Sequence, residues 1–165
     1  MKGLKIIILF IINLLVDLTI LSKYNLYGVV PSITIPLIIV LSIYAKKENI
    51  VYYGLFQGLI QDIAFGNTLG VKALLFYLIS YYVYSFNINE HKNLAKNYVY
   101  LIIAIIFKKI YVIVMNLIIY RNPSVIFKEL FNFSILIEII VSLVFFTFIN
   151  FIMYRIEKNK LRSIV

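Results

Sequence analysis

Residues 54–70 read GLFQGLIQDIAFGNTLG, and this stretch decides how the rest of the chain is understood. Small and polar residues recur there at a fixed interval. Gly54, Gly58, Asp62, Gly66 and Gly70 are each four apart, and Gln57 and Gln61 repeat the interval beside them. Positions four apart share a helix face, with a drift of about 40° per step. Gly54, Gly58 and Asp62 therefore form a stripe, while Gly66 and Gly70 fall beyond the helix end. Among lipid-embedded helices, small residues permit close approach, and amide or carboxylate side chains need protein partners. The stripe reads as a packing seam or as a face offered to a partner helix.

The surroundings justify the membrane frame. Of 165 residues, 63% are hydrophobic and 14% charged, with a mean hydropathy of +0.98. A soluble domain of this length does not carry so much apolar sequence. Six apolar runs can be marked, at 6–21, 29–45, 50–65, 71–86, 98–120 and 133–154. Each approaches the ~20 residues that cross about 30 Å of hydrocarbon. The expected architecture is thus an all-α integral membrane protein, a single bundle of six transmembrane helices. A re-entrant hairpin at 50–65 would reduce the count to five.

The formal charge of +9 would suit nucleic acid if it clustered, but its distribution suits topology instead. With both termini cytoplasmic, inner segments carry Lys2, Lys5, Lys46, Lys47, Lys92, Lys96, Arg155, Lys158, Lys160 and Arg162. Outer segments carry only Lys23, Lys72, Arg121 and Lys128. This bias favours six spans with both ends inside. The basic, apolar N-terminus lacks a small-x-small cleavage site, and Asn13 and Asp17 interrupt it, so an uncleaved first span is expected. In the second run, Pro31 suits a first helical turn, whereas Pro36 should kink or delay the helix. Tyrosines near the span ends suit the headgroup region and carry no expected binding role.

Ionisable groups inside the spans are the second signal. Lys108 and Lys109 sit mid-run and cost about 5–7 kcal/mol together on the insertion scale. Fourteen Leu, Ile, Phe and Val residues in 98–120 return roughly 4–8 kcal/mol, so this span needs tilt, snorkelling or partner helices to hold its place. Under the six-span topology Asp17, Asp62 and Glu138 share the outer half with these lysines. Asn13 shares a face with Asp17, Lys109 with Asn116, and Glu138 with Ser142. One polar network of Asn13, Asp17, Asp62, Lys108, Lys109, Asn116 and Glu138 is expected, with a lysine paired to Glu138 or Asp62. The network would be structural, line a water-filled outer cavity, or be completed by a partner's helix.

Catalytic and metal signatures are absent. No P-loop, GxSxG, HExxH or Cys/His cluster occurs, there is no cysteine, and the single histidine, His91, lies in the polar loop 87–97. No enzyme activity, metal or cofactor is expected. The basic C-terminal tail, RIEKNKLR, reads as an orientation signal that touches anionic lipid.

Residues 54–84 also resemble the signature region of the MreD family of rod shape-determining membrane proteins. The match runs through Gly58, Leu59, Gln61, Asp62, Gly66, Leu69 and Gly70, followed by an apolar helix with tyrosines. Lys108 and Lys109 have no place in that pattern. The resemblance implies a multi-pass protein of the bacterial inner membrane, a non-enzymatic scaffold that binds MreC. With MreB, RodA and a penicillin-binding transpeptidase it would direct lateral peptidoglycan synthesis. It further implies a fold similar to the substrate-binding subunits of energy-coupling-factor transporters. The alternative function is a solute-binding transporter subunit. The expected mode of action is docking of a segment of MreC on the Gly54/Gly58/Asp62 face or in the outer polar pocket.

Overall fold

A computed structural model describes residues 3–23, 30–65, 68–87, 94–120 and 134–162. Among them are six α-helices and no strand: α1 (Gly3–Leu15), α2 (Thr34–Tyr44), α3 (Lys47–Phe65), α4 (Val71–Asn87), α5 (Leu94–Tyr120) and α6 (Ser134–Arg162). A π-helical turn over Val16–Ile20 and a 3-10 turn over Leu21–Lys23 extend α1. The polar loop holding His91, and Gly66 of the glycine series, lie outside the described residues.

The short helix α2 is the axis of the bundle. Its residues are apolar all round, which suits a helix enclosed on every side, and Thr34 through Ser42 are all buried. It packs against α3, α4, α5 and α6. At 11 residues it is about 16 Å long, well short of a hydrocarbon core. Pro36 sets its start. A proline is tolerated in the first turn, where its missing N–H has no intrahelical acceptor, but not deeper. The helix therefore begins at Thr34, with Leu37 N–H donating to Ile33 O at 2.9 Å. Pro31 consequently lies in the non-helical lead-in, not in a first turn as its spacing suggests.

Helices α3 and α4 form an antiparallel pair joined by a turn in which Gly70 adopts φ 95°, a left-handed conformation that favours glycine. α3 runs unbroken for 19 residues, so the chain does not turn back within it as a re-entrant hairpin would. α5 and α6 are also antiparallel: Tyr98, early in α5, packs edge-on against Phe146 in the middle of α6, and Lys108, in the middle of α5, meets Glu138 early in α6. Between these layers sit Ile38, Ile39, Leu41, Ile50, Leu101, Ile105 and Phe146, all fully buried.

The outer surface is as apolar as the core. The segments 95–119 and 135–156 are long and apolar enough to cross a membrane, yet only 11% of either hydrophobic window is buried. Ile103, Ile106, Ile110 and Ile118 form an exposed stripe on α5, and Ile140, Val144 and Phe148 another on α6. Stripes of this size are not left bare in water, whereas hydrocarbon covers them without cost.

Candidate functional site

The polar residues collect where α1 and α3 end and α2, α4 and α6 begin. A helix starting inside a membrane protein leaves its first N–H groups without intrahelical acceptors, and no bulk water is available to take them. Asp62 answers this for α4, while at the start of α2 Asp17 takes the Ile33 N–H and Ser32 Oγ accepts from Thr34 N–H at 3.2 Å. Asp17, on the π-helical turn after α1, accepts four hydrogen bonds at the start of α2 and from α3. These come from Ser32 Oγ at 3.0 Å, Ile33 N–H at 3.0 Å, Thr34 Oγ1 at 2.6 Å and Gln61 Nε2 at 3.2 Å. Asp62 does the same for α4, accepting from the backbone N–H groups of Gly70 (3.0 Å), Lys72 (3.0 Å) and Ala73 (3.1 Å). A negative charge there also complements the positive end of the helix dipole.

The Asp17 cap continues into the bundle. Thr34 Oγ1 accepts from Gln61 Nε2 at 3.0 Å and from Asn13 Nδ2 at 3.2 Å, and Asn13 Nδ2 also donates to Tyr53 Oη at 2.6 Å. Asn13 and Asp17 thus share one polar seam between α1, α2 and α3. Gln57 sits one turn from both Tyr53 and Gln61 and is fully buried, yet neither its amide oxygen nor its nitrogen has a hydrogen-bond partner among the described residues.

The glycine stripe faces α4. A Cβ placed on Gly54 would lie 2.1 Å from Ser80 Oγ and 2.6 Å from the Phe76 carbonyl oxygen. One on Gly58 would lie 2.4 Å from Ala73 Cα. The close approach that lets Asp62 reach the α4 backbone depends on these two positions. The stripe is therefore an internal seam and does not offer an open face to a partner, which corrects the second reading of its spacing.

A cavity of about 380 Å³ opens beside the two caps. Asp17, Ser32 and Gln61 line its polar wall, Lys72 and Lys108 its basic wall, and Phe65 and Phe76 part of its apolar remainder. Lys108 forms an ion pair with Glu138 on α6, and Tyr111 Oη donates to Val71 O at 2.9 Å, tying α5 to the start of α4. Lys72 Nζ stands 5.5 Å from the centre of the Phe65 ring. Lys109 and Asn116 do not line the cavity.

A family model described as rod shape-determining protein MreD matches residues 1–157. The chain belongs to the MreD family. No curated protein and no solved structure matches it. Membership and the lipid-facing surfaces of α5 and α6 agree that this is a membrane protein.

In this MreD-family chain the expected single charge network is divided into parts. Among the described residues, Asp62 accepts from backbone N–H groups, Asp17 is enclosed by neutral donors, and Glu138 meets the Lys108 ammonium group. The reason is that buried helix N-termini compete for carboxylates and offer several preorganised donors at once. Sequence reasoning missed Ser32, Thr34, Tyr53 and Lys72. The pattern PSITIP at residues 31–36 carried the signal for the first two, since hydroxyls beside a delayed helix start are natural partners for its donors. Tyr53 lies near a span end and Lys72 between two spans, positions whose sequence pattern fits a headgroup tyrosine and a topology marker equally well.

Proposed function

We propose that this protein is a multi-pass, non-enzymatic scaffold of the bacterial inner membrane that acts in cell elongation by binding MreC. Through MreC it would work with MreB, RodA and a penicillin-binding transpeptidase in lateral peptidoglycan synthesis. The observation that carries the proposal is the match of the rod shape-determining family over residues 1–157. The architecture is compatible with it: among the described residues, six helices with apolar outer faces, and polar groups spent on helix caps and an ion pair. Six spans with both termini cytoplasmic would place the Asp17 and Asp62 caps at the outer ends of the bundle.

Because the glycine face is occupied by α4, the docking surface we infer for MreC is the lipid-facing exterior, where a single transmembrane helix can pack on exposed apolar stripes. Co-expression of the full chain with MreC and extraction in a nonionic detergent tests the reading. A stoichiometric complex and loss of rod shape on depletion are expected. Separate elution of the two proteins, with rod shape retained in depleted cells, would overturn it.

A further inference from the structure

The cavity beside the helix caps has a composition that the scaffold role does not use. Its charges are unequally satisfied. Asp17 is saturated by Ser32, Ile33, Thr34 and Gln61, Asp62 by the α4 backbone, and Glu138 is held by Lys108. Lys72 is the cation left over: it lines the cavity, and no carboxylate among the described residues forms an ion pair with it. An ammonium group at a helix start is also poorly placed with respect to the helix dipole, which favours anions there. Among the described residues its ammonium group is therefore open to a further negative group entering the cavity.

The size of the cavity decides what kind of partner. The cavity of about 380 Å³ falls in the range of small-molecule sites, about 300–1,000 Å³. The opposite wall is apolar, with Phe65, Leu75, Phe76 and Val112 facing the same space as Lys72 and Lys108.

We propose that this cavity binds a small amphipathic anion, its carboxylate or phosphate group on the Lys72 ammonium and its apolar part against Phe65, Phe76 and Val112. Lys108, paired with Glu138, lines the same side of the cavity. The Asp17 carboxylate on the polar wall only accepts and is already bonded to four donors, so the anionic group sits on the Lys72 side, away from it. The ligand chemistry could come from a water-soluble organic acid or phosphate, or from an anionic lipid whose headgroup enters from the side.

The test uses the full chain in a nonionic maltoside, with hexanoate and hexyl phosphate as probes and hexanol and hexylamine as controls. Saturable stabilisation against heat by at least one anionic probe, and by neither control, is expected, because a ligand of the folded state raises its stability with concentration. Lys72→Gln should weaken that binding by about tenfold or more, the worth of a charge-assisted hydrogen bond, and Lys72→Arg should retain it. Val112→Phe, which fills the cavity but leaves the lysine, should weaken it too, so the conclusion does not hang on one variant's folding. Native mass spectrometry from phosphatidylglycerol and phosphatidylcholine nanodiscs separates the sources. Lysine-dependent retention of phosphatidylglycerol assigns a lipid, and probe binding without it assigns a soluble anion. No saturable binding of any anionic species, or binding as tight as wild type in both Lys72→Gln and Val112→Phe, would overturn the proposal. MreC binding is read separately in the co-purification, so failure of one reading leaves the other standing.

Discussion

At the scale of single residues, the two carboxylates and one amide on α1 and α3 show how a polar side chain justifies its place in an apolar bundle. Asp62 accepts from three backbone donors at the start of α4. Asp62→Ala should therefore lower stability by at least about 2 kcal/mol, the combined cost of a lost cap and exposed donors. Asp62→Asn keeps an acceptor and loses the charge, and should cost roughly half as much. Thermal unfolding of the three proteins in one detergent gives the order wild type, Asn, Ala, and equal melting points for wild type and Ala would refute the cap. Gln57 makes the opposite case. Both ends of its amide are buried without a partner, so Gln57→Met, of similar length, should raise stability by up to about 1 kcal/mol by removing desolvated polar atoms. A drop in melting temperature would show that the amide is in fact hydrogen-bonded in solution.

At the scale of elements, the α3–α4 hairpin and the α5–α6 pair are held by different physics. The hairpin depends on absent side chains. Because the nearest atoms to a Cβ at Gly58 are α4 backbone, nothing flexible can yield, and Gly58→Ala should cost about 3 kcal/mol or more by overpacking. At Gly54 the nearest atom is the Ser80 hydroxyl, with the Phe76 carbonyl oxygen behind it. The Gly54→Ala defect should thus be partly relieved by Ser80→Ala, whereas no second-site change on α4 side chains should relieve Gly58→Ala. Equal rescue at both positions would show that the seam is not set by backbone approach. The α5–α6 pair rests on an ion pair whose side chains are 25% and 16% exposed. Removing one partner leaves a charge in the bundle, so Lys108→Met or Glu138→Leu alone should each cost about 1–3 kcal/mol, less than a fully buried pair. The double variant Lys108→Met with Glu138→Leu should recover most of the loss. Additive losses would mean the two groups act independently.

For the whole molecule, the sequence carried the helical class and the family through two kinds of signal: continuous apolar runs, and the four-residue spacing of Gly54, Gly58 and Asp62. Spacing fixes which residues share a face, but it does not say what that face meets. The spacing marks the stripe as a seam, and only the placement of α4 names what packs against it. Cross-helix partners such as Asp17 with Thr34, or Asn13 with Tyr53, depend on which helices become neighbours, and no local pattern encodes that. The orientation in the membrane is still an inference from lysine and arginine placement, and the chain lends itself to a clean test. It has no cysteine, so a single introduced thiol reports without background. Leu69, in the turn between α3 and α4, is 75% exposed, and Leu69→Cys should react with an impermeant maleimide from outside the cytoplasmic membrane. Lys46→Cys, between α2 and α3, should react only after the membrane is opened. That pair of results places the Asp17 and Asp62 caps, and the cavity beside them, on the side where the cell wall is built. The reverse pattern would turn the bundle over, and the cavity would then draw its anion from the cytoplasm.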